Sequence, residues 1–481
     1  MKLRRAGLTV VVVLSGCADD SVIVRPVYDT PVDDPGAVAS GIDTLQLAVA
    51  RAGSDTDLAA VSFAPGASAD LTGVPFADDL VVHLTGRLGG SEVGYGRTCA
   101  FAVAADGAAP SPHLWFSRTV RFGSLGVTTR VRTSGVALTA PDGSAFFLVG
   151  DERAAATVAE RFDPTTGALT DATPLLERVG GNAALLGTGA AARIVVLGGV
   201  DGGGGGLGTI ELIRLDNGVA VADQLPVGGL ARLGTSATTL TDGRIVVIGG
   251  RPPGGGPVAD LDVVADVAGT VEVKRGNVSL AHPRAGHTAT RLGDDVGEPV
   301  LVVGGVDAGG APVGEAELWK PLSDELADLT AFPHTMVVPR SRHIARLMRD
   351  GSILVIGGVD AANQPVRVIE RYTIDTGFVA VAELATGAGV IDMSATTLPD
   401  GRILLVGGRP AVGAPPVATA SVARLDEFDG SVDVVAIGDQ LAIPRAGHQA
   451  TLLCDGTVLI SGGTDVPSPP ERYNPSANQR R

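Results

Sequence analysis

The sequence is poor in the residue types that mark several classes of protein. Lysine and arginine number 37 against 53 aspartates and glutamates, which gives a formal net charge of −16. Nucleic-acid binding needs a clustered basic surface, and no such cluster occurs, so we expect no nucleic-acid partner. Aromatic residues make up only 4% and charged residues 19%. The hydrophobic fraction of 45% is still ample for a packed core, which excludes global disorder.

The amino terminus holds a short apolar run and no membrane-spanning one. Residues 6–14 (AGLTVVVVL) follow the basic residues Lys2, Arg4 and Arg5. A spanning helix needs roughly 20 apolar residues. A basic start followed by about nine apolar residues is typical of a secretory signal peptide. We therefore expect export, with residues 1–16 as the signal.

Cysteine is scarce, with only three in the chain, and the first has a distinctive context. Residues 14–17 (LSGC) resemble the bacterial lipobox, with an aliphatic residue, two small residues and Cys17. The resemblance implies cleavage before Cys17, acylation of its thiol and of the new amino end, and anchoring in a membrane by several acyl chains. Ala18 follows, without the aspartate that retains some lipoproteins in the inner membrane, which favours the outer membrane. The alternative is an ordinary signal peptide with a chance cysteine.

The region after the signal divides into two parts. Residues 17–40 include a stretch rich in proline and aspartate with no sustained hydrophobic period, and we expect a tether. Residues 41–110 carry short, partly alternating apolar runs bounded by glycine, proline and aspartate. That pattern predicts a small β-sandwich-like domain.

Residues 111–481 repeat one pattern of a turn, a short apolar strand and a closing Gly-Gly pair. Four copies are clear and begin with Asp-Gly, while three are degenerate but keep the register. The intervals are about 50 to 55 residues. The seven copies are residues 142–150, 191–199, 242–250, 297–305, 350–358, 400–408 and 455–463.

Further strands flank each copy, so that each unit holds about four short strands, with a hairpin at Asp-Gly. The pattern resembles the kelch repeat, which has Gly-Gly after a hydrophobic strand and an aromatic or aliphatic residue about a dozen positions on. The usual tryptophan is mostly missing. The matching residues are Phe162, Leu212, Leu318, Tyr372 and Tyr473. The resemblance implies a β-propeller, in which blades bury their faces by packing around an axis.

We predict an all-β chain whose propeller has seven blades, with six as the alternative because many kelch domains have six. The last unit ends near its third strand and needs a fourth. Residues 113–123 (HLWFSRTVRFG) are apolar enough to supply it, which would join the chain's ends and remove an open edge.

Three units share a turn with arginine and histidine, written PRAGH, PRSRH and PRAGH. Because the units are related by rotation, these side chains should lie at equal heights. One interpretation is a polar, partly cationic mouth that binds a ligand; the other is a structural role between blades. The residues are Arg284, His287, Arg340, His343, Arg445 and His448. Their blades are too far apart for one metal ion, and we expect neither a metal nor another cofactor.

Five glutamates recur at matching places and favour a scaffold role, since a catalytic group is normally needed once. They are Glu160, Glu211, Glu317, Glu370 and Glu471. Cys99 and Cys454 lie in a compartment that permits disulfides. They either form a bridge between the small domain and the last blade or remain two separate thiols.

These patterns together predict a non-enzymatic, membrane-anchored lipoprotein whose kelch-like propeller binds protein or glycan partners at the cell envelope. Some kelch-like propellers are enzymes that use copper with tyrosine, histidine and a cross-linked cysteine. No such set is evident among the four tyrosines of this sequence. The alternatives are a carbohydrate-active enzyme with its site at the propeller mouth, and a purely structural envelope protein.

Overall fold

The computed structural model describes residues 21–104, 111–150, 156–216, 219–327, 329 and 334–476. Cys17 and the expected signal peptide lie outside these residues. The described chain is almost entirely β, with one 3-10 turn at Gly189–Ala191. No helix in this part of the chain is long and apolar enough to cross a membrane.

An N-terminal domain is built from nine strands in two layers. A mixed sheet has the order β2-β9-β7-β6-β3-β4, with β8 beside β6, and a second sheet pairs β1 with β5. Both layers contribute to one apolar core, in which Val24 and Val74 meet Leu47 and Phe116. The strands are β1 (Ser21–Val24), β2 (Val27–Asp29), β3 (Thr44–Arg51), β4 (Asp57–Phe63), β5 (Leu71–Pro75), β6 (Ala77–Leu88), β7 (Ser91–Arg97), β8 (Phe101–Val103) and β9 (His113–Arg118).

The prediction of a tether over residues 17–40 is wrong for the part of this segment that the structure describes. Within residues 17–40, β1 pairs with β5 and β2 pairs in parallel with β9, so both strands belong to the domain. Val24 is fully buried. The short runs around its prolines lacked a period because each strand has only three or four residues.

Seven four-stranded antiparallel sheets follow and form a seven-bladed β-propeller, as predicted. The first strands of neighbouring blades contact one another in a closed ring and so line the axis. We call these first strands the inner strands. Blades 1 to 4 are β11 (Val136–Thr139), β12 (Ala145–Leu148), β13 (Ala156–Asp163), β14 (Ala168–Arg178); β15 (Asn182–Leu186), β16 (Arg193–Leu197), β17 (Thr209–Asp216), β18 (Val219–Pro226); β19 (Ser236–Thr239), β20 (Ile245–Ile248), β21 (Asp260–Val267), β22 (Thr270–Ser279); and β23 (Thr288–Arg291), β24 (Val300–Val303), β25 (Glu317–Lys320), β26 (Glu325–Leu326).

Blades 5 to 7 complete the ring, and the last blade takes its outer strand from before the first. That strand, β10, pairs with β37. The remaining strands are β27 (Ile344–Leu347), β28 (Ile353–Ile356), β29 (Val368–Thr373), β30 (Gly377–Glu383); β31 (Ser394–Thr397), β32 (Ile403–Val406), β33 (Ala420–Leu425), β34 (Val432–Ala436); and β10 (Arg121–Ser124), β35 (Gln449–Leu452), β36 (Val458–Ser461), β37 (Glu471–Asn474).

The closing strand is therefore shorter than residues 113–123. Its first half, β9, pairs with β7 in the N-terminal sheet, and only β10 closes the propeller. The chain leaves one domain and enters the other at Thr119 and Val120, where Val120 adopts a left-handed φ of 57°. Hydropathy could not locate this division because large apolar residues lie on both sides of it, Trp115 and Phe116 before it and Phe122 after it.

The second strand of each blade is buried on both faces, which explains its continuous apolar sequence. The Gly-Gly pair that follows it is required by close backbone packing. A Cβ on Gly249 would lie 2.6 Å from the carbonyl oxygen of Arg284, in the loop leading to the next blade. A Cβ on Gly250 would lie 2.9 Å from the carbonyl oxygen of Leu233. Both glycines also have positive φ, which side chains disfavour.

The two domains are joined through the last blade. The Asn474 side-chain amide donates hydrogen bonds to the backbone oxygens of Tyr95 and Ser117, at 2.8 and 2.9 Å. The Arg472 guanidinium lies 4.8 Å from the ring centroid of Trp115, a cation–π contact. Trp115 also packs in a shared apolar cluster with Leu459. The N-terminal domain thus rests on blade 7, the blade that closes the ring.

Candidate functional site

A set of arginines lies four residues before the inner strand of six of the seven blades. Each pairs with a carboxylate on the third strand of the blade that it precedes. Every arginine is at most 3% exposed. We call these pairs the buried ring: Arg132–Glu160, Arg178–Glu211, Arg232–Asp262, Arg284–Glu317, Arg340–Glu370 and Arg445–Glu471.

The pair of blade 4 shows what the buried ring does. Arg284 Nη2 lies 2.7 Å from Glu317 Oε1, and its Nη1 donates to the backbone oxygen of Glu315 at 3.0 Å. Glu317 in turn accepts the backbone N–H groups of Ala281 and His282. Burial lowers the pKa of Arg284 despite the neighbouring carboxylate. The pair therefore holds the entry loop against its blade and leaves no group free for a ligand.

Blade 6 lacks this pair, because both the arginine and the acid are replaced. Val390 stands four residues before β31, and Ser421 lies opposite Leu405, where other blades carry the acid. Val390 is only 2% exposed and joins an apolar cluster. A lone charge left at such a site would be costly, whereas replacing both partners is tolerated. The joint replacement supports a structural role for the pair.

The three predicted histidines are buried between blades. Each Nε2 atom lies within hydrogen-bond distance of a hydroxyl in the preceding blade, to Ser236 for His287, Thr288 for His343 and Ser394 for His448. Burial, and then the nearby arginines, lower the pKa of all three to about 3, so they are neutral at ordinary pH.

Each histidine ring also packs onto a Gly-Gly pair. A Cβ on Gly407 would lie 2.8 Å from His448 Cε1, and one on Gly304 would lie 2.4 Å from His343 Cε1. The rings therefore fill space that a side chain would otherwise occupy. The structure places all six predicted arginines and histidines in the interior, which favours the structural alternative over a ligand-binding mouth.

The seven positions two residues before the inner strands are partly or fully exposed, and three of them carry polar side chains. We call these seven positions the mouth ring: Ser134, Gly180, Gly234, Gly286, Arg342, Asp392 and Gly447. All seven have a left-handed backbone. Hydrogen bonds join some neighbouring members: the N–H of Gly286 donates to the oxygen of Gly234, and that of Ser134 to the oxygen of Gly447, each at 2.7 Å.

Three members of the mouth ring are not glycine. Ser134, Arg342 and Asp392 have φ values of 51°, 57° and 56°. A side chain in this conformation costs about 1–2 kcal/mol, and less for an aspartate such as Asp392. Four sister positions show that glycine serves the backbone equally well. Strained residues of this kind concentrate at functional sites. These three side chains are therefore the best candidates for a function at the mouth.

The mouth ring opens into a cavity of about 790 Å³. Arg342 binds Asp392 with Nη2 at 2.7 Å from both carboxylate oxygens, across blades 5 and 6. Arg251 and Arg409 line the same cavity, each directly after a Gly-Gly pair. Three guanidinium groups thus surround one opening of a chain whose net charge is strongly negative.

The sequence contained a signal for this site that we did not use. The turn PRSRH differs from the two PRAGH turns by carrying Arg342 where they carry Gly286 and Gly447. The register that makes these three residues equivalent depends on the inner strands beginning two residues later. The arginine at a position where the two other turns carry glycine was therefore the signal in the sequence.

A second cavity, of about 360 Å³, lies on the outer face of the N-terminal sheet. Its lining includes Gln46, Thr85, His83 and Tyr95, and His83 Nδ1 is hydrogen-bonded to the Tyr95 hydroxyl. The alternating outward positions of β3, β6 and β7 bring these residues together. Sequence reasoning assigned no site to this domain.

Cys99 and Cys454 are joined by a disulfide across 355 residues of chain. Cys99 follows β7 and Cys454 lies in the hairpin between β35 and β36. Cys454 is partly buried, and its sulfur also lies beside Gly143 in the first hairpin of blade 1. Of the two alternatives drawn from the sequence, the structure adopts the bridge between the domain and blade 7.

Among the described residues, no group of three histidine, cysteine, aspartate or glutamate side chains is arranged to hold a metal ion. Tyr372 and Tyr473 are fully buried in blade interiors, and Tyr95 belongs to the N-terminal cavity.

No protein-family model and no curated protein sequence matches this chain. Its fold is similar to that of a fungal alcohol oxidase of the AA5 family in complex with copper. The TM-score is 0.54 with 17% identity, over 74% of this chain and 77% of the oxidase. The structure of YjhT matches with a TM-score of 0.47 and 11% identity, over 64% of this chain and 97% of that protein. At this identity the likeness to the oxidase shows the propeller fold alone.

Proposed function

We propose that this protein is a non-enzymatic, membrane-anchored lipoprotein whose propeller mouth binds a protein or glycan partner at the cell envelope. The observation that carries the proposal is the mouth ring, where Ser134, Arg342 and Asp392 keep side chains at positions that favour glycine. A costly side chain that the fold does not need is best explained by a contact outside the fold.

The chemistry of the mouth indicates the kind of partner. Arg251 is exposed, and its side chain has no hydrogen-bond or ion-pair partner among the described residues. Arg342 is 47% exposed even in its pair with Asp392. Guanidinium groups bind carboxylates and vicinal oxygen acceptors with two parallel N–H groups. The mouth therefore suits a partner rich in hydroxyl or acidic groups, such as a glycan or an acidic loop.

The binding proposal is tested with a glycan array and two matched variants of the full chain. Arg251→Ala with Arg342→Ala removes two mouth charges, and Arg214→Ala with Arg349→Ala removes two exposed charges elsewhere. We expect the wild type and the second variant to bind the same glycan class, and the mouth variant to lose at least tenfold in affinity. Equal binding by all three would reject the mouth as the site.

The same experiment separates the competing functions. A carbohydrate-active enzyme would release or modify the bound glycan, which mass spectrometry of the recovered glycan detects. A purely structural envelope protein would give no signal on the glycan array and no saturable binding to envelope proteins. Binding without turnover is the result that our proposal requires.

The anchor proposal rests on the lipobox resemblance at Cys17, which lies outside the described residues. Cells fed an alkyne fatty acid should label the wild-type protein, and Cys17→Ser should abolish the label and prevent cleavage of the signal. Density-gradient separation of membranes should place the labelled protein in the outer-membrane fraction. Label retained by the Cys17→Ser protein would reject lipidation at this residue.

A further inference from the structure

The inner strands share a pattern that singles out one arginine inside the propeller channel. The second residue of every inner strand is alanine: Ala137, Ala183, Ala237, Ala289, Ala345, Ala395 and Ala450. The third residue is threonine in blades 3, 4, 6 and 7, and leucine or alanine in blades 1 and 2. In blade 5 it is Arg346. The channel thus carries one cation where most blades carry a hydroxyl.

Arg346 takes over the hydrogen bond that threonine makes elsewhere. The Thr238 hydroxyl donates to the oxygen of Ala289 in the next blade at 2.9 Å. Arg346 Nε donates to the equivalent oxygen of Ala395 at 2.8 Å, and Nη1 donates to the oxygen of Ala345 at 2.9 Å. The interblade bond therefore needs only a threonine, and the guanidinium brings further N–H groups and a charge that the bond does not use.

The charge of Arg346 has no counterpart among the described residues, since none of their carboxylate oxygens lies within 4 Å of its guanidinium. This contrasts with the buried ring, in which each arginine has its own acid. Desolvation lowers the pKa of Arg346, and no nearby acid opposes that effect. An uncompensated charge removed from bulk water is unfavourable unless a counter-ion joins it.

Two hydroxyls on the flanking blades complete a set of donors. Thr288 and Ser394 line a channel cavity of about 320 Å³ together with Arg346. Each hydroxyl lies beside the Nε2 of a neutral histidine, His343 or His448, whose buried Nδ1 has no partner. An unpartnered Nδ1 is less costly as a bare acceptor than as a bare N–H, so Nε2 carries the proton and donates it. The two hydroxyl hydrogens are then free to donate into the cavity.

We propose that this channel cavity binds an oxyanion, held by Arg346 and by the hydroxyls of Thr288 and Ser394. Guanidinium and hydroxyl donors without a competing carboxylate are the groups that recognise carboxylate, sulfate or phosphate oxygens. The oxyanion is either a free inorganic ion or the acidic group of a larger molecule that enters from the mouth. The site is separate from the mouth ring and does not depend on the mouth binding a partner.

The test uses Arg346→Thr, which installs the residue of the sister blades and keeps the interblade hydrogen bond. Arg349→Thr is the control, because it removes the same charge from an exposed position beyond the same strand. Calorimetric titrations of the full chain use inorganic phosphate, sulfate, glucuronate and, as the neutral match, glucose. We expect the wild type and Arg349→Thr to bind at least one oxyanion with one saturable site and no glucose, and Arg346→Thr to lose at least tenfold in affinity.

The probes also identify the source of the oxyanion. Tighter binding of phosphate or sulfate indicates a free ion, and tighter binding of glucuronate indicates the acidic group of a sugar. Unchanged affinity in Arg346→Thr, or no binding of any oxyanion by the wild type, would overturn the proposal. If Arg346→Thr fails to fold, a rise in the wild type's melting temperature with phosphate at constant ionic strength, retained in Arg346→Lys, still supports it. No rise would reject it.

Discussion

The buried ring and the mouth ring come from the same loops, two residues apart. They differ in how often their side chains recur, in burial and in backbone conformation. The buried ring repeats in six blades, and its side chains bind backbone and carboxylate partners in the interior. The mouth ring carries side chains in only three blades, in a conformation that disfavours them. In a repeat protein, chemistry that recurs in each unit serves packing, and departures from the repeat are where function is to be sought.

The largest effect should come from breaking one buried pair. Arg340→Ala leaves the fully buried carboxylate of Glu370 uncompensated, which costs about 3–5 kcal/mol of unfolding free energy. The double change Arg340→Val with Glu370→Ser copies Val390 and Ser421 of blade 6. We expect it to recover most of the loss in urea unfolding. A double variant no more stable than the single one would mean that the pair does more than hold its blade.

The disulfide is an exception to this difference between the two rings. It occurs once in the chain, yet its role is structural. Cys454→Ser opens a loop of 355 residues and should reduce the unfolding free energy by about 2–5 kcal/mol, measured without reductant. Cys99→Ser with Cys454→Ser should behave alike, since either change removes the same bridge. A double variant as stable as the wild type would show that the noncovalent contacts to blade 7 hold the N-terminal domain without the disulfide.

A pH-dependent effect concerns the neutral histidines. Their folded pKa of about 3 lies below the ordinary value of 6.5, so the unfolded chain binds more protons between these pH values. The contribution of the neutral histidines to the unfolding free energy is fully present above pH 6.5. It falls as the pH decreases towards 3, by at most about 1.4 kcal/mol per pH unit for each histidine. His448→Met, which copies Met393 of blade 6, should reduce this slope. An unchanged slope in urea titrations from pH 7 to 4 would contradict neutral burial.

The sequence was sufficient for the features that repeat. The Gly-Gly spacing predicted seven blades, because each copy reports the same backbone approach, and the recurring glutamates predicted a scaffold role. The turn with arginine and histidine was recognised, but whether it faced a ligand or the interior depended on which way each blade packs.

The features that do not repeat required the structure. Arg342 has a left-handed backbone at a position where four sister blades carry glycine, and this equivalence depends on where each inner strand begins, which a single unit does not show. Cys454 aligns with polar turn residues such as Thr241 and Arg349, so nothing local marks it as a partner for Cys99. Arg346 occupies an ordinary strand position, and its missing counter-charge appears only when the flanking blades are in place.

Converting the mouth ring to glycine throughout tests most directly whether its three side chains serve function or the fold. Ser134→Gly, Arg342→Gly and Asp392→Gly together relieve about 1 kcal/mol of strain each, which the entropy of glycine in the unfolded chain and the loss of one surface ion pair offset. We predict an unfolding free energy in urea within about 1 kcal/mol of the wild type. A loss of about 4 kcal/mol or more would show that these side chains hold the propeller together, and would contradict their assignment to function.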